Sequence, residues 1–295
     1  MSVIVPSGDG EINQYNLTRS SAHTPRIYFV NGIRVNGRDH ALTASLLSLL
    51  TERPIWGVYN RTAGSVSGLV LDLAQSAFDY LQNTGARAGS SALTPDRNIS
   101  DRDIQRVIDD VLNKSVIWNQ ATASLFKSLV KNRHSMQMIV AHSQGNLITS
   151  NALFVMEKTL GSSALQRVRV YSLASPAPGW PLGLRITNGG GGRQENAFMN
   201  DMVALLRPHN IAAKVGITRY QNAGDFRTHK DAMKVSLTPH DTNLNIALNF
   251  LQSIRNDIGI TSPMSADFLE KSNQIAADQM PADHRNWLQK LNDVF

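Results

Sequence analysis

Ile139-Val140-Ala141-His142-Ser143-Gln144-Gly145-Asn146-Leu147 is the stretch on which the reading of this chain turns. Met136 to Val140 is short, apolar and rich in β-formers, the pattern of a buried strand. Leu147, Ile148, Ala152, Val155 and Met156 then recur at helical spacing. Strand and helix are joined by one small-x-Ser-x-Gly turn. A serine in such a turn sits on a strained backbone, and the residues flanking it must not collide. Gly145 meets that demand with no Cβ, and Ala141 fills the other flank. The turn lifts the Ser143 hydroxyl above the sheet rim. It also aims the first helical amides at a developing anion, so that the Gln144 amide forms half of an oxyanion hole, helped by the helix dipole. His142 points the other way in such a turn and reads as structural.

An oxyanion hole needs a second donor. Ile27 to Val30 is another short apolar strand and stops at Asn31-Gly32. A glycine at that bend lets backbone pass close to a reacting centre, which makes the amide of Ile33 the candidate second donor. A plain strand-ending Asn-Gly turn accounts for the same residues with no chemistry.

Outward from these two turns the chain alternates. Asp39 opens a helix carrying Leu42, Leu46, Leu49 and Leu50, closed by Pro54. Ile55 to Tyr59 reads as a strand and Leu69 to Leu81 as a helix. Asn83 to Asn98, rich in Gly, Ser, Thr and Ala, reads as a loop. Ser100-x-x-Asp103 has the form of a capping box. It precedes an amphipathic helix through Ile104, Val107, Ile108, Val111 and Leu112 that runs to about Lys131 or breaks near Asn119. Val168 to Leu173 is a strand, another is expected just before Asp201, and Ala213 to Tyr220 reads as a hairpin arm. Asp241 caps a late helix bearing Leu244, Leu248, Leu251 and Ile254. Strands alternating with helices predict an α/β fold with a mostly parallel sheet covered on both faces, and sites at the carboxyl ends of its strands.

With 295 residues and 42% hydrophobic residues, the chain can build one full core, and 18% charged residues argues against disorder. A net charge of +6 serves solubility or attraction to an anionic surface. Lys and Arg are scattered without aromatic interleaving, which speaks against nucleic acid. The absence of cysteine excludes disulfides and thiolate metal sites within the chain. Met1 to Thr24 is polar with no apolar leader segment, and no run of roughly 18 apolar residues exists. The expectation is a protein cytoplasmic as synthesised, with signal-independent secretion left open. No phosphate-loop, zinc or calcium motif is present, so no cofactor or metal is expected.

Taken together, Val30-Asn31-Gly32-Ile33 and Ala141-His142-Ser143-Gln144-Gly145 resemble the paired turns of the α/β-hydrolase superfamily. The Ala-x-Ser-x-Gly form is similar to that of small bacterial lipases and esterases. Those enzymes usually carry His-Gly where this chain has Asn31-Gly32, which removes a His-dependent hydrogen bond but not the backbone donor. By order of elements the resemblance covers about Arg26 to Arg255. It divides the chain into a polar N-terminal segment 1–25, an α/β-hydrolase domain 26–257 with 60–98 and 176–192 as candidate lid or substrate loops, and a helical extension 258–295.

The resemblance implies a serine, acid, histidine order along the chain. Asp201 fits the acid, with Asp225 as its rival. His240, just before a helix, fits the base, with His209 and His229 as rivals; Asp241 beside it reads as a helix cap. The implied reaction is acyl transfer through an acyl-enzyme, with Ile33 and Gln144 holding the oxyanion. The implied substrate is a lipid or other acyl ester, met by peripheral contact with an anionic membrane surface. Trp180, Pro181, Leu182 and Leu184 line its pocket or belong to the core. An acyltransferase or thioesterase on the same triad, and a non-catalytic scaffold of hydrolase descent, are the competing expectations.

Overall fold

The computed structural model describes residues 3–16, 25–32, 35–61, 100–114, 117, 119–142, 144–173, 177, 180–181, 184–189, 251–265, 268, 271–272 and 275. The expected helix 69–81, the loop 83–98, the strand before Asp201, the hairpin arm 213–220 and the cap at Asp241 lie outside the described residues.

Strands β1 (Ile12–Tyr15), β2 (Arg26–Val30), β3 (Ile55–Val58), β4 (Gln137–His142), β5 (Val168–Leu173) and β6 (Arg185–Gly189) form one six-stranded sheet. Its order is β1-β3-β2-β4-β5-β6. Only β1 runs antiparallel, against β3; every other neighbouring pair is parallel. Among the described residues, four α-helices lie between the strands: α1 (Gly37–Thr51), α2 (Asp101–Lys114), α3 (Gln120–Lys131) and α4 (Gln144–Leu160). Alternation along the strands sends side chains to opposite faces. Ile27, Phe29, Met138 and Val140 meet α1 and Ile254 on one face. Tyr28, Val30, Ile139 and Ala141 meet α2, α3 and α4 on the other. A mostly parallel mixed sheet with a core on each face is the α/β architecture.

Local chemistry sets the helix ends. Asn36 accepts from the amides of Arg38 and Asp39, both at 2.9 Å, so α1 starts two residues before the expected Asp39. It stops at Glu52, a left-handed residue at φ 53°, before Pro54. Ser100 caps α2 by accepting from the Asp103 amide at 3.2 Å, and its hydroxyl donates to the Asp103 carboxylate at 2.6 Å. The amphipathic stretch does break: Asn119 is the cap of a separate α3, accepting from the Thr122 amide at 2.9 Å.

Two expectations are corrected. The polar segment before residue 25 carries β1, whose register pairs Ile12 with Val58 and Tyr15 with Ile55. Its alternation is too short to stand out among polar neighbours, and edge pairing to β3 decides it. The stretch 176–192, expected as a lid or substrate loop, contains β6, in parallel register with β5. Trp180 and Leu184 pack against the core.

The segment 251–257 is helical and is tied down by Arg255, which is 3% exposed. Its guanidinium donates to Leu50 O at the end of α1 and to Ser262 Oγ, both at 2.6 Å, and lies over the Phe268 ring. A cation at a helix carboxyl end is favourable. Asp257 pairs with Arg169 at 3.0 Å and accepts from the Tyr171 hydroxyl, fixing the segment to β5. Among the described residues no helix is long and apolar enough to cross a membrane.

Candidate functional site

The chain winds outward from β2 through α1 to β3, then returns past β2 to β4 and continues to β5 and β6 on the other side. The order therefore reverses between β2 and β4. In parallel α/β sheets the crevice at the carboxyl ends of the strands at such a reversal is where ligands bind. The β2–β4 register pairs Val30 with Ala141. Asn31-Gly32 and His142 to Gln144, the two turns singled out in the sequence, thus leave the sheet side by side at this point.

β4 ends at His142 and α4 begins at Gln144, so one position, Ser143, joins strand to helix. The next residue shows how closely the two turns approach. A Cβ built on Gly145 would stand 2.3 Å from Val30 O and 2.9 Å from Asn31 O. Those are backbone atoms of β2 and cannot swing away. Glycine is required there because the start of α4 lies against the end of β2.

The rim between the turns is closed by side-chain amides. The Asn31 carboxamide acts as a peptide group would: Nδ2 donates to Asn60 O at 2.9 Å, and Oδ1 accepts from Asn60 N at 2.8 Å. Nδ2 also donates to Gly32 O at 3.0 Å. The Asn60 side chain reaches the other face of the sheet. Its Nδ2 donates to Gln144 Oε1 at 3.0 Å, and its Oδ1 accepts from Asn119 Nδ2 at 3.3 Å. All four residues are buried, none more than 4% exposed. Buried carboxamides are costly unless paired, so this network holds a single arrangement.

His40 of α1 completes it, with Nδ1 2.9 Å from Asn31 Oδ1. Oδ1 already accepts from Asn60 N, and a flipped amide would face Asn60 N–H with its own N–H. Nδ1 must therefore carry the proton and donate. Nε2 faces Gly57, on which a Cβ would stand 2.4 Å from it. Tyr15, Phe29 and Tyr59 enclose the ring. Burial pushes the His40 pKa down to about 3, the Gly57 backbone and the charge of Glu11 opposing, so the ring is neutral at ordinary pH.

The N-terminal segment flanks the same rim. Gly10 N donates to Tyr59 O at 2.8 Å, and Arg61 N donates to Asp9 Oδ1 at 2.9 Å. Gly10, at φ 73°, runs against Gln120 O at the start of α3, where a Cβ would stand 2.6 Å away. Burial raises the Asp9 pKa, against the lowering effect of the amides of Arg61, Gly10 and Gln120.

Of the site residues read from the sequence, Gln144 is described: it is buried, is the first residue of α4, and has its side chain held by Asn60. It stands at the positive end of the helix dipole. Ser143, Ile33, Asp201 and His240 lie outside the described residues, as do the rivals Asp225, His209 and His229. His142 ends β4, and desolvation lowers its pKa.

Sequence reasoning missed Asn60, Asn119 and His40. A polar residue directly after an apolar strand, as Asn60 follows Ile55 to Tyr59, was the signal for the first. Asn119 was visible as a helix break. Nothing in the local pattern marks His40. Asn31, read as a turn residue, is the centre of the network. Among the described residues no group of His, Cys, Asp or Glu is placed to hold a metal ion. No protein-family model, no curated protein and no solved structure matches this chain.

Proposed function

We propose that this protein is a serine hydrolase of the α/β-hydrolase type that cleaves a carboxylic ester, its substrate a lipid or other acyl ester. One observation carries the proposal. The reversal of strand order sets the Asn31-Gly32 turn beside a strand–serine–helix junction, with Gly145 against the carbonyls of Val30 and Asn31. A parallel sheet that needs only to connect β4 to α4 has no need of a one-residue junction and a Cβ-free contact there. A turn that must hold a nucleophile and backbone donors around one oxygen does.

In this mechanism Ser143 attacks the ester carbonyl while His240, oriented by Asp201, takes its proton. The oxyanion rests on the amides of Gln144 and Ile33. The alcohol leaves with the proton from His240, and water, deprotonated by the same histidine, releases the acid and restores Ser143. The net charge of +6 favours a substrate at an anionic surface.

A fluorophosphonate probe tests the proposal. The full chain should be labelled at Ser143, and Ser143→Ala should lose both labelling and hydrolysis of short acyl esters while melting at the same temperature. Folded wild-type protein that is not labelled, or a Ser143→Ala variant of undiminished activity, sinks it. An ester chain-length series then separates lipid from small-ester specificity.

A further inference from the structure

The rim network ends on Gly32 O and on the Gln144 side chain, at the two turns on which the proposed chemistry depends. We propose that Asn31 and Asn60 act as one positioning unit that sets the spacing of the two oxyanion donors. This rests on the serine-hydrolase reading.

The argument follows the hydrogen bonds. A carbonyl and the N–H that follows it share one planar peptide unit. Asn31 Nδ2 holds Gly32 O at 3.0 Å, the carbonyl of the peptide that leads to residue 33, the first donor of the proposed hole. Asn60 Nδ2 holds the side-chain oxygen Gln144 Oε1 at 3.0 Å, and so anchors the side chain of the first residue of α4, whose amide is the second donor of the proposed hole. The Asn31 carboxamide grips the Asn60 backbone at both N–H and C=O, at 2.8 and 2.9 Å. The two constraints are therefore one rigid piece.

Two further contacts stiffen it from opposite faces of the sheet. His40 donates Nδ1–H to Asn31 Oδ1 from α1, and Asn119 donates to Asn60 Oδ1 from the cap of α3. Gly145, against the Val30 and Asn31 carbonyls, leaves the two turns no slack. An oxyanion hole works only when its donors are already placed where charge develops, and a displacement of about an ångström is costly. Asn31 and Asn60 do not touch the reacting atoms in this scheme. They act through Gly32 and Gln144.

The experiment compares the full-length wild type with Asn31→Asp, Asn60→Ala and the double variant. Asn31→Asp keeps shape and the acceptor oxygen but loses the donor to both Gly32 O and Asn60 O. Asn60→Ala loses the grip on Gln144 and leaves the Asn31 bonds to the residue-60 backbone in place, so it carries the test if the first variant does not fold. The readouts are kcat and KM for a short-chain p-nitrophenyl ester, the rate of fluorophosphonate labelling, and a melting curve for each protein.

Each folded single variant should lose about tenfold to a hundredfold in kcat and in labelling rate, with KM nearly unchanged. The double variant should fall no further than the worse single one, since residues that act as a unit are not additive. Folded variants with wild-type kcat, losses that appear in KM instead, or losses that multiply in the double variant would each overturn the positioning role. Folded wild type that is neither labelled nor active overturns the hydrolase reading, a different outcome from active wild type with unaffected variants.

Discussion

Helix α3 is held by an asparagine at each end, and the two ends serve different purposes. At its carboxyl end Asn132 donates to Ser128 O at 2.7 Å and to the Tyr28 hydroxyl at 3.4 Å. That hydroxyl lies 2.9 Å from Ser128 Oγ and donates to Gln137 Oε1, while Gln137 Nε2 donates to Leu129 O at 3.1 Å. These bonds return to the last turn of the same helix, satisfying carbonyls that a helix end leaves over. At its amino end Asn119 caps the helix in the same manner but passes its second bond on to Asn60, and from there to Gln144 and Asn31. The first network is partly buried and the second fully, and both are built largely from carboxamides. What separates them is place: one closes on itself beneath the sheet, the other ends on the two turns at the reversal of strand order. Buried polarity alone does not mark a site; the second network differs in ending at the topological switch, where parallel α/β sheets bind ligands.

The most severe way to break the contrast is to force the two turns apart. Gly145→Val should place a branched side chain against the Val30 and Asn31 carbonyls. Overpacking of this kind costs about 1–3 kcal/mol, a fall in Tm of roughly 5–10 °C or loss of soluble protein. A variant that melts with the wild type would mean that the turns are not in contact.

The next effect is electrostatic and belongs to the carboxyl rim alone. His40 has its pKa pushed down to about 3 from an ordinary 6.5. Between those values the unfolded chain binds a proton that the folded chain refuses, so stability rises with pH in that window and is lost as pH falls through it. His40→Asn keeps a donor near the Nδ1 position and removes the titration. Urea unfolding from pH 6.5 to 4 should show the wild type losing roughly 1 kcal/mol more per pH unit than the variant. Equal slopes would mean that the ring is not held neutral.

How far the sequence reached follows from the same contrast. The strands β2, β3, β4 and β5 are legible because parallel strands buried on both faces read as apolar runs. β1 and β6 were not. Each is an edge strand, and its pairing is decided by backbone bonds to a neighbour distant in the chain rather than by its own pattern. Of the rim, the glycine requirement at residue 145 was legible, because a steric demand shows in a single residue. The network was not. Asn31, His40, Asn60, Asn119 and Gln144 are spread over 113 positions of sequence (144 − 31), and only the return of the chain past β2 brings them together.

The smallest effect is expected at the amino rim, and it tests whether the two networks differ in kind. Tyr28→Phe removes one hydroxyl from among Ser128, Gln137 and Asn132 and leaves the packing of the ring intact. A buried hydrogen bond lost in this way costs about 1 kcal/mol, a fall in Tm of a few degrees. Since these bonds return to α3 and never reach Gly32 or Gln144, the labelling rate and kcat should stay at the wild-type level. The Asn60→Ala variant removes two buried hydrogen bonds, so it should lower Tm at least as much and, unlike Tyr28→Phe, lower kcat as well. If Tyr28→Phe slows labelling as much as Asn60→Ala does, the loss travels through general loosening of α3, and the carboxyl rim holds no special claim on the chemistry.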